Sequence, residues 1–547
     1  MTTLKQLQSF KSVPELATFL DYKPQTLTYI AYRLDESKKY SEFEIPKRSG
    51  GSRIIQAPDR SLKILQEKIA KVLNDCYEEL LHSEKRRIIP AHGYRKNCSI
   101  ATNAQLHKNR RHVLNIDLSN YFGSINFGRI RGFFISNNGL GLDEKVATVL
   151  AHICCFKNSL PQGAPTSPII SNLITYPLDK HLQKFCKPLR LRYTRYADDI
   201  TFSTKEVQLP EKLIHIKDGK PQLNDKLKNL FQNHGFKINQ NKTRIYTNKQ
   251  RQEVTGLVVN KTVNLKREAR KELRAMVHNY LCNRKITVKN QNETKLLEGK
   301  KALNFLSGKL SYATWIATFG ATNSFLENHR RFLIRKIFFE NPKPLIMTEG
   351  PSDVIYLKEA FKTWPDEFTN LCDKTNNGKT TLKVEFYNFR NKRTNEILSL
   401  GGTANLTKLI DEILNSTRTY GRPVINKKII IVVDNDNEGN KVKNHYKEKV
   451  NKKSTYFPEF ANHLKVVTLK SNCDNKKVIE DFLPKELEEK SNLNEKKLAK
   501  NNDFDKKDFI SKKSFAEKVF FPNRKEFPLS ELRPTLADLN SLLNEND

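Results

Sequence analysis

Apolar positions recur at helical spacing over residues 1–45, where Leu16, Phe19, Leu20, Leu27 and Ile30 keep the repeat, so short helices are expected there. Arg48-Ser49-Gly50-Gly51-Ser52-Arg53-Ile54-Ile55 reads as a hairpin, and an amphipathic helix follows from Leu62 to Leu81. From 112 to 260, β-branched runs alternate with helical stretches, as in an α/β region. Residues 264–340 become helical and basic, as in Lys266-Arg267-Glu268-Ala269-Arg270-Lys271; taken alone, a solvated surface helix accounts for that run. The pattern restarts near Asn341-Pro342-Lys343-Pro344. Leu345-Ile346-Met347-Thr348-Glu349-Gly350 is a short apolar strand ending in an acid and a glycine, with a helix over Ile355 to Phe361 behind it. Lys428-Ile429-Ile430-Ile431-Val432-Val433-Asp434-Asn435-Asp436 is a second buried-type strand ending in acids. Such strands followed by helices describe a doubly wound sheet, whose sites lie at the carboxyl ends of its strands. Residues 486–508, rich in Lys, Glu, Asn and Asp, read as a solvated insert.

Charge changes the picture more than length does. At 547 residues the chain exceeds a single core, and its net charge of +36 is spread along the whole length. That distribution points to an extended anionic partner, hence nucleic acid, although an AT-biased genome inflates Lys and Asn as well. The eight cysteines are scattered, and the adjacent Cys154-Cys155 lacks the spacing of a zinc knuckle, so reduced thiols are expected. The start, Met1-Thr2-Thr3-Leu4-Lys5-Gln6-Leu7, has no apolar signal core, and no apolar run reaches membrane-span length; a soluble, cytoplasmic protein without membrane contact is expected.

Candidate chemistry concentrates in Tyr196-Ala197-Asp198-Asp199, lying between two β-type runs. A hairpin there holds two carboxylates at its tip, where hard oxygen donors suit Mg²⁺ and two-metal phosphoryl transfer. The same residues also suit a solvated turn with no chemistry. His112-Val113-Leu114-Asn115-Ile116-Asp117 supplies a third carboxylate at a strand end, unless Asp117 is only a helix cap. Phe122 follows as an aromatic wall of the kind that excludes a ribose 2′-hydroxyl, or as a core side chain. Leu160-Pro161-Gln162-Gly163-Ala164-Pro165 is a rigid loop entering a helix at Ile169, with Gly163 permitting close backbone approach and Gln162 able to hydrogen-bond a base or template. The segment from Gly235 to Thr243 brings Lys242 within reach of a triphosphate, if it is not simply solvated.

In this order, Asp117 with Phe122, Pro161-Gln162-Gly163, Tyr196-Ala197-Asp198-Asp199 and Gly235 to Lys242 resemble the palm motifs of reverse transcriptases, across about residues 40–335. The resemblance implies that Asp117, Asp198 and Asp199 bind catalytic Mg²⁺. It implies that Phe122 selects deoxynucleotides, that Gln162 and Gly163 position template and nucleotide, and that Arg53, with Lys47 assisting, meets the triphosphate. Asn103-Ala104-Gln105-Leu106-His107 and Val254-Thr255-Gly256 resemble the signatures of retron reverse transcriptases. That implies recognition of a cognate structured non-coding RNA through Asn103, His107, Val254, Thr255 and Gly256. It further implies deoxynucleotide addition primed from an RNA 2′-hydroxyl and a branched msDNA product. Removal of template RNA is expected to fall to a host RNase H.

Glu349-Gly350-Pro351-Ser352-Asp353 and Asp434-Asn435-Asp436 resemble the signatures of Toprim domains, with Leu400-Gly401-Gly402-Thr403 as the intervening strand-to-helix turn. Glu349, Asp434 and Asp436 are then catalytic metal ligands, Asp353 a cap or supporting group, and Glu480-Asp481 a candidate to complete the cluster. The expected fold is a multidomain α/β and α+β chain, a right-hand polymerase followed by a doubly wound Toprim-like domain. Its parts are an N-terminal helical segment (1–45), fingers and palm (46–255), a basic helical thumb (256–340), the Toprim-like domain (343–485) and a charged insert with tail (486–547), the tail being a candidate to complete that domain. The combination implies a defence effector controlled by msDNA, with a homo-oligomer among the arrangements it allows. A nucleic-acid-binding scaffold with a silent second half, and a primase- or topoisomerase-like enzyme, are the rival readings.

Overall fold

The structure, a computed structural model, describes the chain except for residues 1, 48–49, 84–88, 218–219, 290–292, 321–323, 376, 401–402, 420–426, 453–461, 471–477, 485, 488–496, 499–508, 528 and 545–547. It divides into two compact units, Met1–Arg270 with Trp315–Thr322, and Lys271–Thr314 with Asn323–Asp547. None of its described helices is long and apolar enough to cross a membrane.

In the first unit, β1 (Tyr40–Pro46) and β2 (Ser52–Pro58) form the expected hairpin, followed by α1 (Arg60–Ser83). Leu62, Leu65, Ile69, Leu73 and Tyr77 recur at three- and four-residue intervals along α1, so its apolar stripe is buried in the main core. The short α2 (Ile100–Gln105) precedes β3 (His112–Ser119), and α3 (Ser167–Cys186) precedes the hairpin of β4 (Arg192–Tyr196) and β5 (Asp199–Thr204). With β6 (Lys237–Thr247) these strands make an antiparallel sheet in the order β4-β5-β3-β6. Val113, Leu114, Ile116 and Leu118 of β3 are buried, while Asn115 and Asp117 are only partly covered.

The second unit is organised on a parallel sheet. β7 (Leu345–Met347), β8 (Glu385–Phe386), β9 (Ile429–Val433) and β10 (Leu464–Thr468) run in the order β8-β7-β9-β10. Strand alternation sends Ile346, Ile430 and Val432 into one core with Tyr356, Phe361, Phe515 and Leu536, and Leu345, Met347, Ile429, Ile431 and Val433 into another with Leu409, Ile413 and Val442. Both faces are therefore covered, which explains why β9 is apolar at every position.

The boundary differs from the one expected. Of the basic helical stretch, Lys271–Thr314 and the residues from Asn323 onward belong to the second unit. Leu333, Ile334, Phe338 and Phe339 share a core with β7 and β9, because they are a continuation of that apolar interior and not a free-standing thumb surface. Most of the charged insert lies outside the described residues. The tail beyond it joins the second unit through Phe515, Ala516, Leu532, Leu536 and Leu539.

Candidate active site

Tyr196 pairs with Asp199, so Ala197 and Asp198 form the tip of the β4–β5 hairpin. Ala197 takes φ +56°, a left-handed conformation that costs a non-glycine residue about 1–2 kcal/mol. The surrounding structure holds it there. The Leu118 amide donates to the Asp198 carbonyl at 3.1 Å, and the Arg195 guanidinium donates to the Ala197 carbonyl at 3.3 Å. On the opposite side, a Cβ on Gly93 would stand 2.6 Å from the Ala197 nitrogen, so only glycine lets that loop lie against the turn.

Asp117 of β3 is directly opposite Asp199 in the antiparallel ladder, which puts both side chains on one face. Asp198 joins them from the tip. The β3–β6 register shifts between Asn115, paired with Arg244, and Asp117, paired with Asn239. Residues 240–243 bulge opposite Ile116, and bulges of this kind re-aim side chains. Here Lys242 is aimed at Asp117, its Nζ lying 3.0 and 3.1 Å from the two carboxylate oxygens.

Burial in this corner pushes the Asp198 carboxyl above its ordinary range; Asp117 adds to the effect, while Lys242 and Arg53 oppose it. Asp199 is pushed up to about 6 by desolvation and by its Asp198 and Asp117 neighbours, although part of its side chain still meets solvent. Among the described residues no three His, Cys, Asp or Glu side chains are already gathered closely enough to enclose a metal. Two observations make the acids suitable for Mg²⁺. The donors are hard carboxylate oxygens on one face, and the proton affinity of Asp198 and Asp199 is raised first by burial and then by neighbouring carboxylates, whose charge a cation would offset.

The other residues expected at the site have the following neighbours. Arg53 lies in β2 near enough to Asp198 to lower its proton affinity. Phe122 is half-buried against Tyr121, ring centroids 5.4 Å apart. Gln162 accepts a 2.8 Å bond from the Gln56 amide through its carbonyl. Gly163 has φ +137°, and a Cβ there would meet the Gln56 carbonyl at 2.7 Å. The close approach that Gly163 permits is thus to the β2 backbone.

Of the signature residues expected to touch RNA, most are buried. Asn103, His107 and Val254 are fully buried. His107 is held between the Ser203 and Thr194 hydroxyls, each at 2.7 Å, and burial keeps its imidazole neutral. Val254 packs with Ala101, Ala104 and Val113, while the Thr255 hydroxyl donates to the Ile100 carbonyl at 3.0 Å. The two signatures meet each other and brace β3 and β5 from behind. Of the five residues, only Thr255 and Gly256 retain appreciable exposure.

Sequence reasoning missed the support beneath the acidic turn. Arg195 is fully buried and pairs with Asp179, Nε and Nη2 lying 3.0 and 2.8 Å from its carboxylate oxygens. It also donates to the Tyr121 hydroxyl and the Asn172 Oδ1, both at 3.1 Å, and Asn172 in turn donates to the Gly93 carbonyl. The one local signal was an arginine at an inward position of a strand.

Residues 45–259 match the family described as reverse transcriptase (RNA-dependent DNA polymerase). The retron Ec86 reverse transcriptase of Escherichia coli is 35% identical over 263 residues, covering 48% of this chain and 75% of that protein. The chain belongs to the retron reverse transcriptases. The retron Mx65 reverse transcriptase of Myxococcus xanthus is 34% identical over 286 residues, covering 49% of this chain; the chain spans 62% of that relative's length. A structure of telomerase from Candida albicans aligns with a TM-score of 0.34 and 11% identity, over 77% of this chain and 64% of that one.

Beyond the matched residues, this retron-family chain gathers a second set of acids. Glu349 follows β7 and accepts a 3.0 Å bond from the Asp434 amide at the end of β9. Asp434 accepts from the Ile479 amide at 3.2 Å. Asp436 caps the helix Asn437–Asn451 through the Gly439 amide at 2.7 Å. Gly439 was also missed; its Cβ would lie 2.0 Å from the Asp434 carbonyl. Asp353 caps its own helix, accepting from the Gly350 amide and the Ser352 hydroxyl. Glu480 is buried, with Oε2 on Lys512 at 2.9 Å and Oε1 unpaired among the described residues.

Desolvation, then repulsion from Asp353, Glu349 and Glu480, pushes Asp434 up to about 8. Desolvation and Glu480 push Asp353 to about 7, and burial raises Glu349. Lys512, supplied by the tail, is a cation facing this group. Gly401 and Gly402 of the expected intervening turn lie outside the described residues.

Proposed function

We propose that this chain is an RNA-directed DNA polymerase that copies a cognate structured non-coding RNA into msDNA, starting from an RNA 2′-hydroxyl. The observation that carries this reading is the placement of Asp117 opposite Asp199 with Asp198 at the adjoining tip, in a chain of the retron family. Asp117, Asp198 and Asp199 would hold Mg²⁺, which when bound supplies Lewis-acid activation of the primer hydroxyl and charge neutralisation of the triphosphate. The protein's own residues orient the substrates. Arg53 and Lys242 would offer positive charge to the triphosphate, Lys242 from its place beside the Asp117 carboxylate. Phe122 would bar a ribose 2′-hydroxyl by steric contact.

We further propose that the second acid group carries a Toprim-like, metal-dependent activity on nucleic acid, controlled by msDNA and serving antiphage defence. The supporting features are Glu349 and Asp434 at adjacent parallel strand ends and the buried Oε1 of Glu480, unpaired among the described residues. Small nucleic acids extracted from cells carrying the native RNA locus test the first reading. A branched RNA–DNA species is expected with the wild type and lost with Asp198→Ala plus Asp199→Ala; a wild-type strain lacking it would overturn the proposal. Glu349→Gln with Asp434→Asn should leave that species intact and abolish protection from phage, and retained protection would refute the effector role.

A further inference from the structure

Tyr94 is a large aromatic side chain with 46% of its surface exposed, and it carries φ +59°. A left-handed backbone at a bulky residue persists only where its surroundings impose it, and such strain collects at functional sites. Here the imposing contacts come from the acidic hairpin and from α3. Gly93 lies against Ala197, the His92 amide donates to the Arg195 carbonyl at 2.8 Å, and Asn172 holds the Gly93 carbonyl at 2.9 Å. Arg195 therefore fixes both the Asp198 turn and the loop that presents Tyr94.

The ring is displayed toward the reacting groups. Its centroid lies 6.4 Å from that of Phe122, the planes inclined at 57°. Asp198 and Arg53 are both close enough to act on the phenol electrostatically, in opposite senses. Its hydroxyl makes no hydrogen bond to the described residues, although it is next to a site rich in polar groups. A nucleotide whose triphosphate reaches Arg53 while its α-phosphate approaches Asp198 would pass along this ring, with its sugar against the surface that Tyr94 and Phe122 form together.

We infer that Tyr94 contacts the incoming nucleotide and, together with Phe122, determines which sugar is accepted. This rests on the polymerase reading above. The ring supplies a second wall, so that Phe122 cannot swing away to admit a 2′-hydroxyl. The phenol remains available to the sugar or triphosphate.

The test is single-nucleotide addition to a primed homopolymeric RNA by the full chain, with KM and kcat measured for the matching deoxynucleotide and ribonucleotide. Tyr94→Asn removes the ring and suits the positive φ; Tyr94→Leu keeps bulk without a planar face; Tyr94→Phe keeps the ring. Tyr94→Asn is expected to raise the deoxynucleotide KM roughly tenfold and to lower deoxy-over-ribo selectivity by a similar factor, the usual worth of one aromatic contact. Tyr94→Leu should lose part of the selectivity and Tyr94→Phe should retain it. Unchanged KM and selectivity in both Tyr94→Asn and Tyr94→Leu, with the wild type active, would overturn this inference alone. A wild type that adds no deoxynucleotide would overturn the polymerase reading with it.

Discussion

Replacing Asp434 by asparagine should stabilise the second unit, in a direction opposite to that of most substitutions at a buried polar site. The folded Asp434 carboxyl keeps its proton up to about pH 8, whereas an unfolded aspartate releases it near 3.8. Between those values the folded state binds more protons than the unfolded one, so stability falls as pH rises through the window. Asp353, held near 7, acts in the same sense over a narrower range. The full Asp434 displacement corresponds to roughly 5–6 kcal/mol of electrostatic and desolvation cost at pH 8. The repulsion is shared with Asp353, Glu349 and Glu480, and Lys512 offsets part of it, so a recovery of about 2–3 kcal/mol is expected on removing one charge. Asparagine retains an oxygen able to accept from the Ile479 amide. Trp364, packed against the core of this unit, provides the signal once Trp315 is changed to Phe. Denaturant unfolding with EDTA at pH 5 and pH 8 should show the Asp434→Asn variant more stable than this parent chain at both, the gain at the lower pH being roughly a third of that at the higher. Equal stability at pH 8, or a gain independent of pH, would refute the argument.

Other outcomes follow from particular contacts. Mg²⁺ should raise the wild-type unfolding midpoint at pH 8 and raise it less in Asp434→Asn, since binding to the folded state alone adds stability; a shift of equal size in both, measured by the same fluorescence, would exclude Asp434 as a ligand. Arg195→Met should cost about 3–5 kcal/mol, because Asp179 is left as an unpaired buried charge, and a partner change of Asp179→Leu should recover part of that loss in a double-mutant cycle. Gly93→Ala should depress nucleotide addition while leaving global unfolding less affected, because the added methyl displaces the Ala197 turn; unaltered addition would show that the turn tolerates the shift. Lys242→Met should weaken triphosphate binding by about 1.5–3 kcal/mol, read as a raised KM, as for a lost charged hydrogen bond.

The elements that carry the acids were legible because their signals are local. Period-two burial in His112–Ser119, the apolar run of Ile429–Val433 and the short turn between Tyr196 and Asp199 each fix a strand and its end. What surrounds them was not legible. Asn103 and His107 read as polar and available, yet the structure buries them, since their partners are nearly a hundred residues away in β4 and β5 or absent among the described residues. Arg195–Asp179 and Lys512–Glu480 are pairings between distant segments, which no spacing rule connects. The division of the basic helices depends on Leu333, Phe338 and Phe339 finding an interior beside β7, and charge dominated their appearance in the sequence. Gly93 and Gly439 are ordinary glycines until the backbone that approaches each is known.

Asp117, Asp198 and Asp199 are expected to act together in DNA synthesis on RNA. Purified protein should add labelled deoxynucleotides to a DNA primer on an RNA template when Mg²⁺ is supplied, and Asp117→Asn, Asp198→Asn and Asp199→Asn should each abolish the addition without changing the fold by circular dichroism. Undiminished synthesis by any of the three, or none by the wild type on either this template or its own RNA, would contradict the account.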